Sequence, residues 1–493
     1  MAPPKLVLAV IDGLHPAALR AALAQGRAPA LAAIAERATV DTVAAAAFPS
    51  VTPVCAATIA TGHRQDAHRI PSMNWFHRGE DRYVEYGSSF SAARAFGIRQ
   101  QLEDTVYALN ATHMAPEVPT VFETLDDAGV RTAGTTYLIY RGRHPHEMAR
   151  EFPFSSALAR RVFGDRAVLG PKELFYADLF ASRETGCRSL FGNPGQRDRH
   201  TGCVGAYLVE HDLFDFLLFS LPDNDTHSHH AGPRGQIDSV ALADRELRKL
   251  MDAGGGPEAF LDEHAVIVVA DHAHAEVHLP VRLFEAFGSH GVLGAKARSG
   301  PASPGATIAL CPAQRAAMVY VLDRARRDVL LPGLVATARA LNGVDLVAWR
   351  TPDGEGAVAS ARGELRFAPG GDLVDERGGT WSVSGAHAVL EASVTDGRWT
   401  TPVYPDALAR LWSALTCSTS GDLLLSAAPG FEFPDWGGKH HVDGGSHGSL
   451  HHEDSLGVLL ACGVDVAPER AAAAWSIADV YGMSVGHFGI ASR

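Results

Sequence analysis

Three short apolar runs constrain this chain most, because each ends in an acid. "KLVLAVID" closes on Asp12, "FDFLLFSLPDND" on Asp223 and Asp225, and "AVIVVADH" on Asp271 and His272. Continuous apolar stretches of this kind read as strands buried on both faces, the pattern of a parallel sheet. Open α/β sheets bind ligands beyond the carboxyl ends of their strands. Three such strands would gather carboxylates at one edge, where they repel one another unless a cation neutralises them. A single acid at a strand end is usually a turn residue. Three of them, two with histidines nearby, favour a metal.

Helical patterns alternate with these runs. "HPAALRAALAQGRAPALAAIAERA" suits one or two helices broken near Gly26 and Pro29. "TVFETLDDAGV" suits a helix leading into a strand "TAGTTYLIY", and "QIDSVALADRELRKLMDAG" is amphipathic. The βαβ rhythm predicts an α/β fold, a mainly parallel central sheet with helices on both faces. From 276 to 410 the character shifts. "SGPASPGATIALCP" is loop-like, "AAMVYVLD" and "DVLLPGLVATARALNGV" suit a strand and a helix, and "GELRFAPGGDLVDERGGTWSVSG" carries hairpin-like turns. The expected organisation is a core over 1–275 and 411–493, with 276–410 as an inserted smaller lid region. "GDLLLSAAPGFEF" reads as a further core strand.

"FPSVTPVCAATIATG" (48–62) reads as a helix with Thr52-Pro53 at its start and Gly62 at its end. A hydroxyl at that start sits beside free N–H groups and a positive dipole end, a place that attracts phosphate. The plain alternative is that Thr52 only caps its helix.

Net charge is −13, which disfavours a nucleic-acid polymer as partner. An acidic chain that handles an anion needs local positive charge, and bound metal ions would supply it. The start "MAPPKLVLAVIDG" has no basic n-region or cleavage pattern, and no apolar run approaches the ~20 residues of a membrane span. Six scattered cysteines without a CxxC pair argue for a reducing compartment and against a thiol zinc site. The expectation is a cytoplasmic protein without membrane contact. A Cys187–Cys203 disulfide is the open alternative to fully reduced thiols.

The metal-ligand candidates are Asp225 and His229 in "DTHSHHAGP", Asp271-His272, and His447 in the Gly-rich "HHVDGGSHGSLHHED". Asp and His without thiolates suit Zn²⁺ or Mn²⁺ more than Ca²⁺. Taken in order, "LAVIDG", "FPSVTPVCAATIATG" with "AHRIPSMNWF", "LPDNDTHSHHAGP", "VVADHAHAE" and "GGSHGSLHHEDSLGVLLACG" resemble the alkaline phosphatase superfamily, on its type I phosphodiesterase/nucleotide pyrophosphatase branch. These pieces span residues 6–463.

The resemblance implies an alkaline-phosphatase-like three-layer α/β/α core and two divalent ions, Zn²⁺ first and Mn²⁺ second. One ion would be held by Asp12, Thr52, Asp271 and His272, the other by Asp225, His229 and His447. Spacing alone leaves Asp223 and His227 as an alternative to Asp225 and His229. Thr52 would be the nucleophile, attacking in line and passing through a phospho-threonine. The family's His-Gly is His68-Arg69 here, its phosphate-binding Asn falls near Asn74, and "DHA" replaces "DHG". Asn74 and Arg69 are therefore candidate phosphate contacts. Trp75, Phe76 and Tyr140 are candidates to stack a base or line an apolar pocket, and Arg141 and Arg143 to face an anion. Aromatic residues at such positions are more often core. The implied activity is hydrolysis of a small phosphorylated substrate, a phosphodiester or nucleotide pyrophosphate, by a chain that is monomeric or oligomeric. The alternatives are a phosphomonoesterase, a phosphonate hydrolase, or a non-catalytic metal-binding scaffold.

Overall fold

The computed structural model describes residues 4–149, 166–190, 192–299, 303–467 and 473–491. Among them, nine strands form the central sheet. These are β1 (Lys5–Ile11), β2 (Ala38–Ala45), β3 (Thr132–Thr135), β4 (Glu173–Tyr176), β5 (Phe180–Ala181), β6 (Phe216–Leu221), β7 (His264–Val269), β8 (Leu456–Cys462) and β9 (Trp475–Ser476). Their order is β9-β2-β8-β7-β1-β6-β3-β4-β5. The five strands β7-β1-β6-β3-β4 run parallel, while β8 is antiparallel to both of its neighbours. The sheet is thus mixed around a parallel centre.

Side chains alternate across β1, which sets the layers. Leu6, Leu8 and Val10 join a core shared with α3 (Thr52–Thr61) and α4 (Val121–Asp127). Val7, Ala9 and Ile11 join a core shared with α1 (Pro16–Ala24), α2 (Pro29–Glu36), α5 (Arg197–Glu210) and α7 (Gln236–Ala253). Helices therefore cover both faces, giving three layers. The break between α1 and α2 falls at Gly26, whose φ of 65° places it in the left-handed region, with Pro29 opening α2. The run "TAGTTYLIY" is a strand only to Thr135, because Thr136 turns to a positive φ of 35°.

A second sheet, mostly antiparallel, contains Ile308–Ala313, Ala316–Val321, Val344–Arg350, Gly356–Ser360 and Gly363–Val374. The strand Leu423–Ala427, expected in the main core, instead lies between Ala316–Val321 and Val344–Arg350 in this sheet. Its apolar run records burial, and burial does not say in which sheet. Residues 300–302 of the loop-like segment lie outside the described residues.

Cys187 and Cys203 form a disulfide with a Cα–Cα separation of 5.8 Å. The reading of six reduced, scattered thiols is corrected here, because α5 carries Cys203 back to a neighbour sixteen residues away. With that bond, the cysteines no longer argue for a reducing compartment. No helix among the described residues is long and apolar enough to cross a membrane.

Candidate metal centre

Register brings the acids together. Val10 pairs with Val269 and Ile11 with Leu221, so the residues following β1, β7 and β6 emerge side by side at the carboxyl edge. Asp12 follows β1 directly, and Asp271 lies two residues past the end of β7. Asp225 lies in the first turn of α6 (Asp223–Ala231), one helical turn before His229. His447 enters from the Gly-rich turn, where its Nδ1 meets the carbonyl of Ser50 at 2.8 Å. That bond ties it to the segment carrying Thr52.

Two groups result. In the first, Nε2 of His272 lies 3.5 Å from Asp12 Oδ1, 3.4 Å from Asp271 Oδ2 and 3.4 Å from the Thr52 hydroxyl. In the second, Asp225 Oδ1 lies 3.4 Å from Nε2 of both His229 and His447, and 2.9 Å from Nε2 of His274. A tetrahedral site with bonds of ~2.0–2.1 Å has ligand–ligand edges of about 3.3 Å. Most of these separations fit that edge. The rings of His272 and His447 stack at 3.6 Å, joining the two groups.

The polar bookkeeping also fits cations. Asp12 Oδ1, Asp271 Oδ2 and His447 Nε2 are buried without a hydrogen-bond partner. Nδ1 of His229, His272 and His447 each meets a backbone carbonyl, of Gly445, Ala273 and Ser50 respectively. A carbonyl only accepts, so each Nδ1 carries the proton and each Nε2 turns a lone pair to the centre. Burial, reinforced by Asp271 and Asp225, pushes Asp12 well above the usual carboxylate range. Burial, with Asp225 adding, raises Asp271 to about 6. Burial would raise Asp225 too, but the imidazoles of His229, His274 and His447 hold it well below the ordinary value. For His447, burial favours the neutral ring, but Asp225 outweighs it and the net shift is upward. Acids that close to one another, with lone pairs converging, suit divalent cations.

Thr52 is the first residue of α3, yet it does not cap the helix. Val51 occupies the cap position and no side chain makes a capping bond. Gly62 ends the helix at a φ of 71°. The hydroxyl is therefore free of the plain role and faces the Asp12 group. The alternative ligand pair is committed elsewhere. Asp223 accepts from Arg197 Nε at 2.8 Å, and His227 Nε2 meets the Gly235 carbonyl at 3.2 Å.

A cavity of about 340 Å³ opens onto Asp12, Thr52, Asp225 and Asp271. A larger hollow of about 640 Å³ lies behind His274 beside α1, but it reaches neither Thr52 nor Asp12. The smaller one is the cavity that Thr52 shares with acids of both groups. Met73 lines it, and Asn74 does not: the Asn74 amide donates to Val84 O at 2.9 Å within a hairpin. Arg69 is exposed, pairs with Glu117 and stays outside. Phe76 is buried against Tyr83 and Tyr320. Tyr140 is buried against Tyr176 and Phe180, with its hydroxyl on Val106 O. Trp75 is buried beside His77 and His113. Arg141 and Arg143 bond to Glu123. None of these candidate side chains lines the smaller cavity.

Two residues escaped the sequence reading. His274 joins the Asp225 group, and its signal was the alternation in "DHAH". Arg197 is the one Lys or Arg lining the smaller cavity among the described residues. Nothing in "GQRDRH" marks it. A third grouping, His77, Glu80 and His113, is a different case. His77 Nδ1 accepts the Glu80 N–H at 2.9 Å, so its proton sits on Nε2 and no lone pair faces that group.

Residues 6–366 match the family model described as type I phosphodiesterase / nucleotide pyrophosphatase. No curated protein sequence matches significantly. Among solved structures, phosphonoacetate hydrolase from Sinorhizobium meliloti 1021, in complex with phosphonoacetate, aligns at a TM-score of 0.57 and 17% identity, covering 99% of this chain and 96% of that one. Human ectonucleotide pyrophosphatase/phosphodiesterase 5 aligns at 0.56 and 12%, over 99% and 96%. An inactive threonine variant of the murine counterpart, in complex with AMP, aligns at 0.57 and 10% over the same shares. At these identities the likeness is one of fold.

Proposed function

From its membership of the type I phosphodiesterase/nucleotide pyrophosphatase family, to which this chain belongs, we propose that it hydrolyses phosphodiesters or nucleotide pyrophosphates in a metal-dependent reaction with Thr52 as nucleophile. The supporting observation is the meeting of the Thr52 hydroxyl with His272 Nε2 at 3.4 Å, beside the unpartnered buried oxygens of Asp12 and Asp271. Asp12, Asp271 and His272, with Thr52, would hold one divalent ion, and Asp225, His229 and His447 the other. Such ions would lower the pKa of a hydroxyl and neutralise charge on the attacking and leaving oxygens.

Thr52 Oγ1 attacks phosphorus and loses its proton to solvent. The bond from phosphorus to the leaving oxygen breaks, and that oxygen takes up a proton. Water then attacks the phospho-threonine, the bond from phosphorus to Oγ1 breaks, and Thr52 is regenerated. The start of α3 offers backbone N–H groups to the phosphoryl oxygens. Arg197 faces the remaining anionic part of the substrate, and Tyr137 and Tyr176 supply an apolar wall.

A second reading is a phosphonate hydrolase, favoured by the end-to-end likeness to phosphonoacetate hydrolase. There Arg197 would meet a carboxylate. A panel of nucleotide diesters, dinucleotide polyphosphates, phosphonates and monoesters, run with zinc or manganese supplied, tests both. Turnover on the diester or pyrophosphate arm supports the first, and turnover confined to phosphonates the second. A chain that binds metal and turns over nothing is a scaffold.

A further inference from the structure

We propose that His274 is a positioning residue that donates its Nε2–H to Asp225 and fixes that carboxylate for a divalent ion, without itself ligating the ion. This rests on the reading that Asp225, His229 and His447 hold a divalent ion.

Four imidazoles meet at this centre, and one is wired differently. His229, His272 and His447 give their Nδ1–H to backbone carbonyls and point Nε2 lone pairs inward. His274 instead sets Nε2 against Asp225 Oδ1 at 2.9 Å, and its Nδ1 has no hydrogen-bond partner. An ionised carboxylate only accepts, so the His274 proton sits on Nε2. Were Nε2 a metal ligand, Nδ1 would carry the proton and become a buried donor without an acceptor, the more costly arrangement. Distance separates the roles as well. The His229 and His447 contacts to Asp225 Oδ1, at 3.4 Å, match a tetrahedral edge of about 3.3 Å, whereas 2.9 Å is a hydrogen bond.

The ring has a built slot. It is fully buried. A Cβ at Gly13 would come within 2.7 Å of its Nε2, and one at Gly445 within 3.2 Å of its Nδ1. Gly13 has a φ of 66°, so a larger residue there is excluded twice over. With His274 outside the coordination shell, the ion has three protein ligands and one open position, the arrangement of a catalytic rather than a structural site.

The test uses full-length protein, zinc and a competing chelator. In His274→Ala, affinity at one site falls by about 10–100-fold, the usual loss when an outer-shell partner of a ligand is removed. The other site is unchanged. His274→Gln, whose amide N–H can donate to Asp225, restores affinity to within about threefold, since the charge-assisted bond is kept. A crystal structure of zinc-loaded wild type keeps His274 Nε2 on the carboxylate. Wild-type affinity in His274→Ala, failure of Gln to rescue, or a wild-type Nε2–Zn distance of ~2.0–2.1 Å would each overturn the assignment. The crystal structure decides even if the variants misfold. A wild-type chain that takes up no zinc overturns the metal reading beneath it, a result distinct from all of these.

Discussion

The Thr52 hydroxyl and His272 Nε2 lie 3.4 Å apart although 220 residues separate them in sequence. If Oγ1 is the nucleophile, Thr52→Ala removes the reacting atom and little else, since the hydroxyl caps nothing. Turnover of a diester should fall by about 10³-fold or more. Thermal stability without metal should stay near wild type. Thr52→Ser should keep measurable turnover and trap radiolabelled phosphate on the serine. Equal activity in wild type and the Ala variant ends the nucleophile assignment.

Stripping the metal should destabilise the protein. Asp12 and Asp271 are both buried and repel each other, and Arg197 offsets only a minor part of that for Asp12. A ligand that binds only the folded state at a thousand times its Kd adds about 4 kcal/mol. Chelation should therefore lower the melting temperature, and zinc or manganese should restore it in proportion to the logarithm of free metal. A melting temperature indifferent to chelator would count against any ion between these acids.

Glu85 sets a pH dependence away from the metal groups. Burial pushes its carboxyl up to about 7, although the N–H groups of Gly87 and Ser88 donate to Oε1. The folded value is raised above the unfolded ~4.3, so the folded state binds this proton more tightly. Stability from this group is full below about pH 4 and is lost as pH rises through about 7, by roughly 4 kcal/mol. Glu85→Gln keeps the Oε1 acceptor and never ionises, so its stability should fall less than wild type between pH 5 and 8. Parallel slopes for the two proteins would contradict the shift.

The central layers were legible because periodicity and burial are local. The runs ending at Asp12 and Asp271 are strands, and the helix over 236–253 lies where its amphipathic pattern put it. What was not legible depended on partners far away in sequence. Tyr140 and Phe76 look like ligand-facing aromatics until Phe180 and Tyr320 are seen against them. Arg69 looks like a phosphate grip until Glu117 claims it. Leu423–Ala427 has a core strand's composition but pairs with Ala316–Val321. Arg197 has no local signal, because its place in the cavity comes from α5 starting beside Asp223.

The disulfide should matter for stability. Cys187 and Cys203 are 16 residues apart, and closing a loop of that size contributes about 3 kcal/mol by restricting the unfolded chain. A Cys203→Ser variant, or wild type under strong reductant, should unfold at lower denaturant. Reductant should have no further effect on the variant. A reductant effect of equal size in both would place the sensitivity elsewhere.

Arg197 should decide which substrates are favoured. It enters the cavity from the first turn of α5, fixed by Asp223 at 2.8 Å through Nε and by Thr226 at 2.5 Å through Nη2. Both bonds use one side of the guanidinium, which leaves Nη1 to face an anion. A hydrogen bond to a charged group contributes about 1.5–3 kcal/mol, or roughly 10–150-fold in kcat/KM. Arg197→Ala should lose that much on substrates with a second anionic group, such as a nucleoside polyphosphate or a carboxylate-bearing phosphonate. On a p-nitrophenyl diester without one, the loss should stay within about threefold, because no charge-assisted bond is at stake there. Arg197 also anchors the start of α6, which carries Asp225, so metal content must be measured on the same preparation. Equal losses on both substrates, together with lost metal, would mean that the side chain holds α6 in place and reads no substrate charge.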